Sequence, residues 1–158
     1  MDIFSIFTSK PVLIGLHLGF AIIGIDLFLW LLGKFKDRVG VVKNRATIAG
    51  LGTAAFILSW LTGGYYYVIY YGTLVKPIIK EGVAPWAHNI IMETKEHIFL
   101  FVVPLAVVVF CIALISDEEI DRCGIRKVAV WLSGTVAVLG LLVGAMGFII
   151  SAAARWGV

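Results

Sequence analysis

Charge is what this sequence has least of. Only 15% of its 158 residues are Asp, Glu, Lys or Arg, while 61% are hydrophobic and the mean hydropathy is +1.02. A soluble domain carries about 25% charge, so a charged shell around a soluble core is excluded. Cysteine is scarce as well: Cys111 and Cys123 form no CxxC pair, which excludes a disulfide framework and a thiolate metal site. Cys111 reads as a small apolar residue. Phosphate-binding and dinucleotide-binding glycine motifs are missing, and neither Ser116 nor Ser133 has the neighbours of a catalytic triad. No enzyme class is therefore indicated. The few basic residues sit where membrane topology needs them, so nucleic-acid binding finds no support.

What the sequence does have is length in its apolar runs. Four blocks, 12–32, 47–71, 88–115 and 125–154, are each long enough to cross a bilayer, for which about 20 residues suffice. The runs are continuous and not alternating, which excludes a membrane β-barrel. The expected fold is all-α: an integral membrane four-helix bundle, one domain over 1–158. Met1-Asp2-Ile3-Phe4-Ser5 lacks a basic leader, and no small-residue cleavage site follows the first span, so that span is expected to be retained.

Lysine and arginine set the expected topology. Lys34, Lys36, Arg38, Lys43, Arg45, Arg122, Arg126 and Lys127 lie on one side, and Lys10, Lys76, Lys80 and Arg155 on the other. Eight against four places the first set in the cytoplasm. The expectation is a multi-pass protein of a bacterial or archaeal cytoplasmic (inner) membrane with both termini outside. Its partners are the lipid bilayer and either other membrane subunits or further copies of itself. Ser116-Asp117-Glu118-Glu119 reads as a capping box opening a short cytoplasmic turn closed by Gly124. Five tyrosines over 65–71 read as an interfacial belt, and 72–84 as a loop over the outer mouth.

The chemistry gathers in the stretch from Pro85 to Phe99. It contains His88, Glu93, Lys95, Glu96 and His97, and it leads straight into an uncharged run. Ionisable groups in such a place are functional candidates. On a regular helix Glu93 and His97 are i,i+4 neighbours on one face, with Glu96 about 100° away. The plainer alternative is a solvated helix end, since 98–115 alone spans about 27 Å. On the first span, His17 has Gly24 two turns below it, which leaves room for a flat ligand. Asp26 lies about 13 Å deeper than His17 and is expected to face the bundle interior. Gly15 and Gly19 form a small patch for close helix approach.

Three functions fit these residues. A b-type haem near the outer face, between spans 1 and 3, would use His17 and His97 as axial ligands, with Glu93, Gly24 and Arg155 around it. Histidines on two spans are similar to the general architecture of membrane b cytochromes. A non-haem Fe, Cu or Zn ion would draw on His17, His97, Glu93, Glu96 and His88. The third option is a proton or ion relay through Glu93, Lys95, Glu96 and Asp26, or an accessory subunit of a larger complex. The expectation carried forward is a small membrane redox protein or subunit binding haem b, with the other two as alternatives.

Overall fold

The computed structural model describes residues 3–37 and 42–156. Arg38 of the basic loop lies outside the described residues. The described chain is helical, without a strand among the described residues: α1 (Ile3–Phe7), α2 (Lys10–Asp37), α3 (Val42–Glu81), α4 (Ala87–Ala113), α5 (Asp117–Arg122) and α6 (Arg126–Trp156). α2, α3, α4 and α6 are long and apolar enough to cross a membrane, as in a multi-pass membrane protein. They form the expected all-α four-helix bundle. The four long helices pack in the ring α2–α3–α4–α6, with α2 and α4 on the diagonal and the last part of α3, Lys76–Glu81, reaching across to α6. One end of the bundle carries α1 and Trp156 (the termini end), the other carries α5 (the loop end).

The second span is longer than the block 47–71 predicts. α3 continues to Glu81, so most of the supposed mouth loop is helix. The stretch Tyr67–Val75 is wound as a wider π-type helix between the regular segments Val42–Tyr66 and Lys76–Glu81. Pro77 supplies a reason: it lacks an amide hydrogen, and its ring crowds the carbonyl of Thr73 four residues back. The π-wound part turns Tyr71, Val75 and Ile79 inward against Ala87, Met92, Ile150 and Ala153. Tyr71 is therefore core and not belt, 2% exposed. Ala87–Met92 at the start of α4 is also π-wound.

Towards the loop end the core is apolar: Ile25, Phe28, Leu31, Phe56, Val102, Ala106, Val136 and Ala137 belong to it. Bare backbone lets these helices close up. A Cβ on Gly52 would meet the Phe28 ring at 2.9 Å, and one on Gly140 would meet Ile25 at 2.8 Å. The face of α3 that does this is Ala49, Gly52, Thr53 and Phe56, while Gly50 faces α4, where a Cβ would meet the Phe110 ring at 3.2 Å. Thr53 adds a cross-helix bond, its hydroxyl donating to Ala49 O (2.8 Å) and Ala106 O (3.2 Å).

The loop end is pinned by an ionic cluster. Buried Arg45 donates to Asp117 Oδ1 (2.8 Å) and to the carbonyl of Ile115 (2.6 Å), and its guanidinium lies 5.1 Å over the Phe35 ring. Arg126 donates to Asp117 Oδ1 (2.9 Å) and Asp121 Oδ1 (2.6 Å). Burial alone would push the Asp117 carboxyl up, but the hydrogen bonds from Arg126 and Arg45 outweigh it and hold it below its ordinary value. The N-cap half of the capping box is present: Ser116 Oγ accepts from Glu119 N and donates to Glu119 Oε2 (3.3 Å), and Gly124 closes the turn at φ 68°. Four of the basic-loop and turn charges, Arg45, Asp117, Asp121 and Arg126, are thus structural.

Candidate functional site

Between that loop-end core and the smaller apolar cluster at the termini end lies a layer of polar groups. On α3, α4 and α6 the layer falls between the residues of the two clusters, at Ser59–Gly63, at Lys95 and Glu96 and at Gly147, and His17 joins it from α2 through its contact with Ser59. Ionisable groups enclosed in this way are costly unless they are paired or put to use.

His17 is fixed by a reciprocal clamp between α2 and α3. Its Nδ1 lies 2.8 Å from the carbonyl of Ser59 and 3.0 Å from Ser59 Oγ, while Ser59 Oγ donates to the carbonyl of His17 (2.9 Å). A carbonyl only accepts, so the Nδ1 carries the hydrogen and Nε2 is the free nitrogen. The ring lies flat on Gly63, where a Cβ would come within 2.5 Å of Nδ1. Across the diagonal its edge meets Phe99, centroids 6.5 Å apart. Gly24 is not the glycine under His17: its open side is filled by the Phe56 ring at 3.1 Å. Neither glycine leaves room for a flat ligand beside His17: the Phe56 ring fills the side of Gly24, and the His17 ring itself covers Gly63.

Lys95 enters the layer from α4. A Cβ on Gly147 would touch its Cε at 3.6 Å, so the stem runs over the bare backbone of α6. Gly147 is eight residues before Arg155, which puts that contact about 12 Å below it. The ammonium is within electrostatic reach of His17 on one side and of Glu96 on the other. Glu96 is half-buried, beside the Tyr67 phenol, and its Oε1 is enclosed without a hydrogen-bond partner.

A series of groups leads from there toward the termini end. The Tyr67 and Tyr71 rings stack at 5.2 Å, and the Tyr71 hydroxyl shares a 3.0 Å hydrogen bond with His88 Nδ1. His88 Nε2 is 4.0 Å from Glu93 Oε1, at an exposed carboxylate. His88 is only 3% exposed, so it belongs to the interior and not to a solvated helix end. The π-wound turn Ala87–Met92 changes the phase of that part of α4.

The structure divides the expected site residues. His17, Lys95 and Glu96 come together, and His88 with Glu93 lies one step away. His97 stands exposed, its Nδ1 donating to the carbonyl of Glu93 four residues back (2.6 Å). Glu93 is exposed too, so the pair read as inward faces outward, while Glu96 faces inward. Phe99, 200° round the helix from His97, is the α4 side chain that meets His17. Arg155 is exposed at the end of α6, and Asp26 is exposed on the outer face of α2, not in the interior. No group of three or more His, Cys, Asp or Glu side chains suited to one metal ion occurs among the described residues. Sequence reasoning missed Ser59, Gly63 and Tyr71. Gly63-Gly64 beside a serine four residues earlier was the only signal. Comparison with protein-family models, with curated proteins and with solved structures finds no match to this chain.

Proposed function

We propose that this chain is a proton-exchanging membrane protein that holds a mobile proton on the enclosed Glu96–Lys95 pair. The observation that carries the reading is the position of that pair, in a polar layer between two apolar clusters, with Glu96 Oε1 unpartnered. A carboxylate and an ammonium in a low-dielectric layer pass charge between them at small cost, and enclosed ionisable groups in membrane helices mark proton paths. Glu93, His88, Tyr71 and Tyr67 form the route to it from the termini end, and His17, tied to Ser59, closes it on the far side. If the eight-to-four distribution of cations sets the topology, the open end faces outside, in the cytoplasmic membrane of a bacterium or archaeon. Infrared difference spectra of the protein in lipid bilayers test this. A protonated-carboxyl band that follows bulk pH should vanish in Glu96→Gln and persist, with slower exchange, in Glu93→Gln. A spectrum with no titrating band assignable to Glu96 sinks the proposal.

One observation favours a second reading, the b-type haem. In His17 and His97 alike the Nδ1 is held by a backbone carbonyl, which leaves Nε2 directed away, as metal-ligating histidines commonly have it. Such a haem needs the exposed His97, so its second ligand would come from the outward face of α4. Purified protein with a Soret band that His17→Ala and His97→Ala each abolish, and His88→Ala leaves intact, would establish this reading.

A further inference from the structure

Asp26 is the observation that the polar layer leaves unused. It is exposed on α2, eight residues before Lys34, hence about 12 Å inside the hydrocarbon from that lysine. No ion pair or hydrogen bond of its side chain occurs among the described residues. Around it α2 is bare. Gly15, Gly19 and Gly33 lie within about 40° of Asp26 in azimuth, and a Cβ on any of the three would meet nothing within 4 Å. Gly24, Gly52 and Gly140 are each covered by a neighbour's side chain, whereas Gly64, Gly72 and Gly144 are bare as well, so what singles out this face of α2 is the coincidence of bare glycines with Asp26. Two independent features therefore coincide on one outward face: a carboxylate directed at lipid and a track on which another backbone can approach closely.

We infer that this face of α2 receives a transmembrane helix of another protein, one that carries a lysine or arginine at the depth of Asp26. Charge complementarity selects this occupant. A second copy of the chain, set side by side in the same orientation, would bring only its own Asp26 to that level. Gly52 and Gly140, which pack against Phe28 and Ile25, mark the same level on α3 and α6; no cation lies within two turns of Gly140, and Arg45, seven residues before Gly52, is buried and paired with Asp117. Lys95, further from that level, is turned toward Gly147 and Glu96. The inference is independent of whether Glu96 exchanges a proton.

The test uses the full chain in phosphatidylcholine vesicles with two synthetic transmembrane probes, a leucine host peptide and the same peptide with one central lysine. Energy transfer from a fluorophore on the chain reads association. The lysine peptide should bind at least tenfold more tightly than the all-leucine peptide, and Asp26→Leu should erase that difference. Gly19→Leu should weaken the lysine peptide several-fold with Asp26 in place. Because both positions face outward, circular dichroism of the variants should match the parent. Equal binding of both peptides, or a preference that survives Asp26→Leu, overturns the inference. So does self-association of the chain that Asp26→Leu abolishes and the lysine peptide does not displace, which would assign the face to a second copy.

Discussion

Gly63 and Gly64 are adjacent in sequence and should respond oppositely to the same substitution. A Cβ at Gly63 would sit 2.5 Å from His17 Nδ1 and 2.7 Å from Cε1, so the ring must swing away and its 2.8 Å bond to Ser59 O breaks. Overpacking of this kind costs about 1–3 kcal/mol. The lost hydrogen bond adds about 1 kcal/mol. Replacing a helical glycine by alanine returns about 1 kcal/mol of propensity. Gly63→Ala should therefore destabilise the bundle by roughly 1–3 kcal/mol. Gly64 is exposed with nothing within 4 Å, so Gly64→Ala keeps only the propensity term and should be neutral or stabilising by up to about 1 kcal/mol. Reversible unfolding by sodium dodecyl sulfate in mixed micelles, followed by tryptophan fluorescence, measures both. A double variant supplies the control: in a His17→Ala background the Gly63→Ala penalty should largely disappear, since the ring it strikes is gone. Equal stability of the two single variants, or a penalty unchanged without the ring, would show that His17 does not lie on Gly63.

Three further outcomes follow from the geometry. Asp117→Asn removes the anion between Arg45 and Arg126 and should cost about 1–3 kcal/mol, the usual range for leaving a buried donor group poorly satisfied, as the same unfolding assay reads. Because the folded Asp117 carboxyl is held below its ordinary value, its contribution is fully present above about pH 4 and is lost as the pH falls through the lower, folded value. Parent stability should thus drop in that acid window and the Asp117→Asn variant should not share that component. Tyr71→Phe strips His88 Nδ1 of its partner and should shift the histidine's titration, read by nitrogen-15 NMR of the imidazole.

Segment type was legible from the sequence and orientation was not. Four apolar runs of membrane length specify four helices directly. Which side of each helix turns inward is a different question, because lipid and protein interior are equally apolar and no polar stripe marks the solvent face. Asp26 and Glu93 illustrate the consequence: both were expected inside, yet both are exposed. Glu96 went the other way for the same reason. The inward faces of His88 and Tyr71 were not readable either, because each lies in a π-wound stretch where 100° per residue does not hold. The clamp on His17 joins residues 42 apart, a pairing for which one sequence offers no local signal. The N-cap at Ser116 was readable because it is contained within four residues.

The π-wound stretches also determine where this chain can change length. A π-type turn holds a residue more than the regular helix that flanks it. Deleting one residue within Tyr67–Val75 lets the backbone relax to regular winding, and Ile79 keeps its side toward Ile150 and Ala153. The same deletion between Ile48 and Ser59 has no slack to consume and rotates everything beyond it by about 100°, carrying Gly63 off His17. Relatives of this protein should accordingly gain or lose single residues at 67–75 and 87–92, and stay constant in length along the rest of α3 and α4.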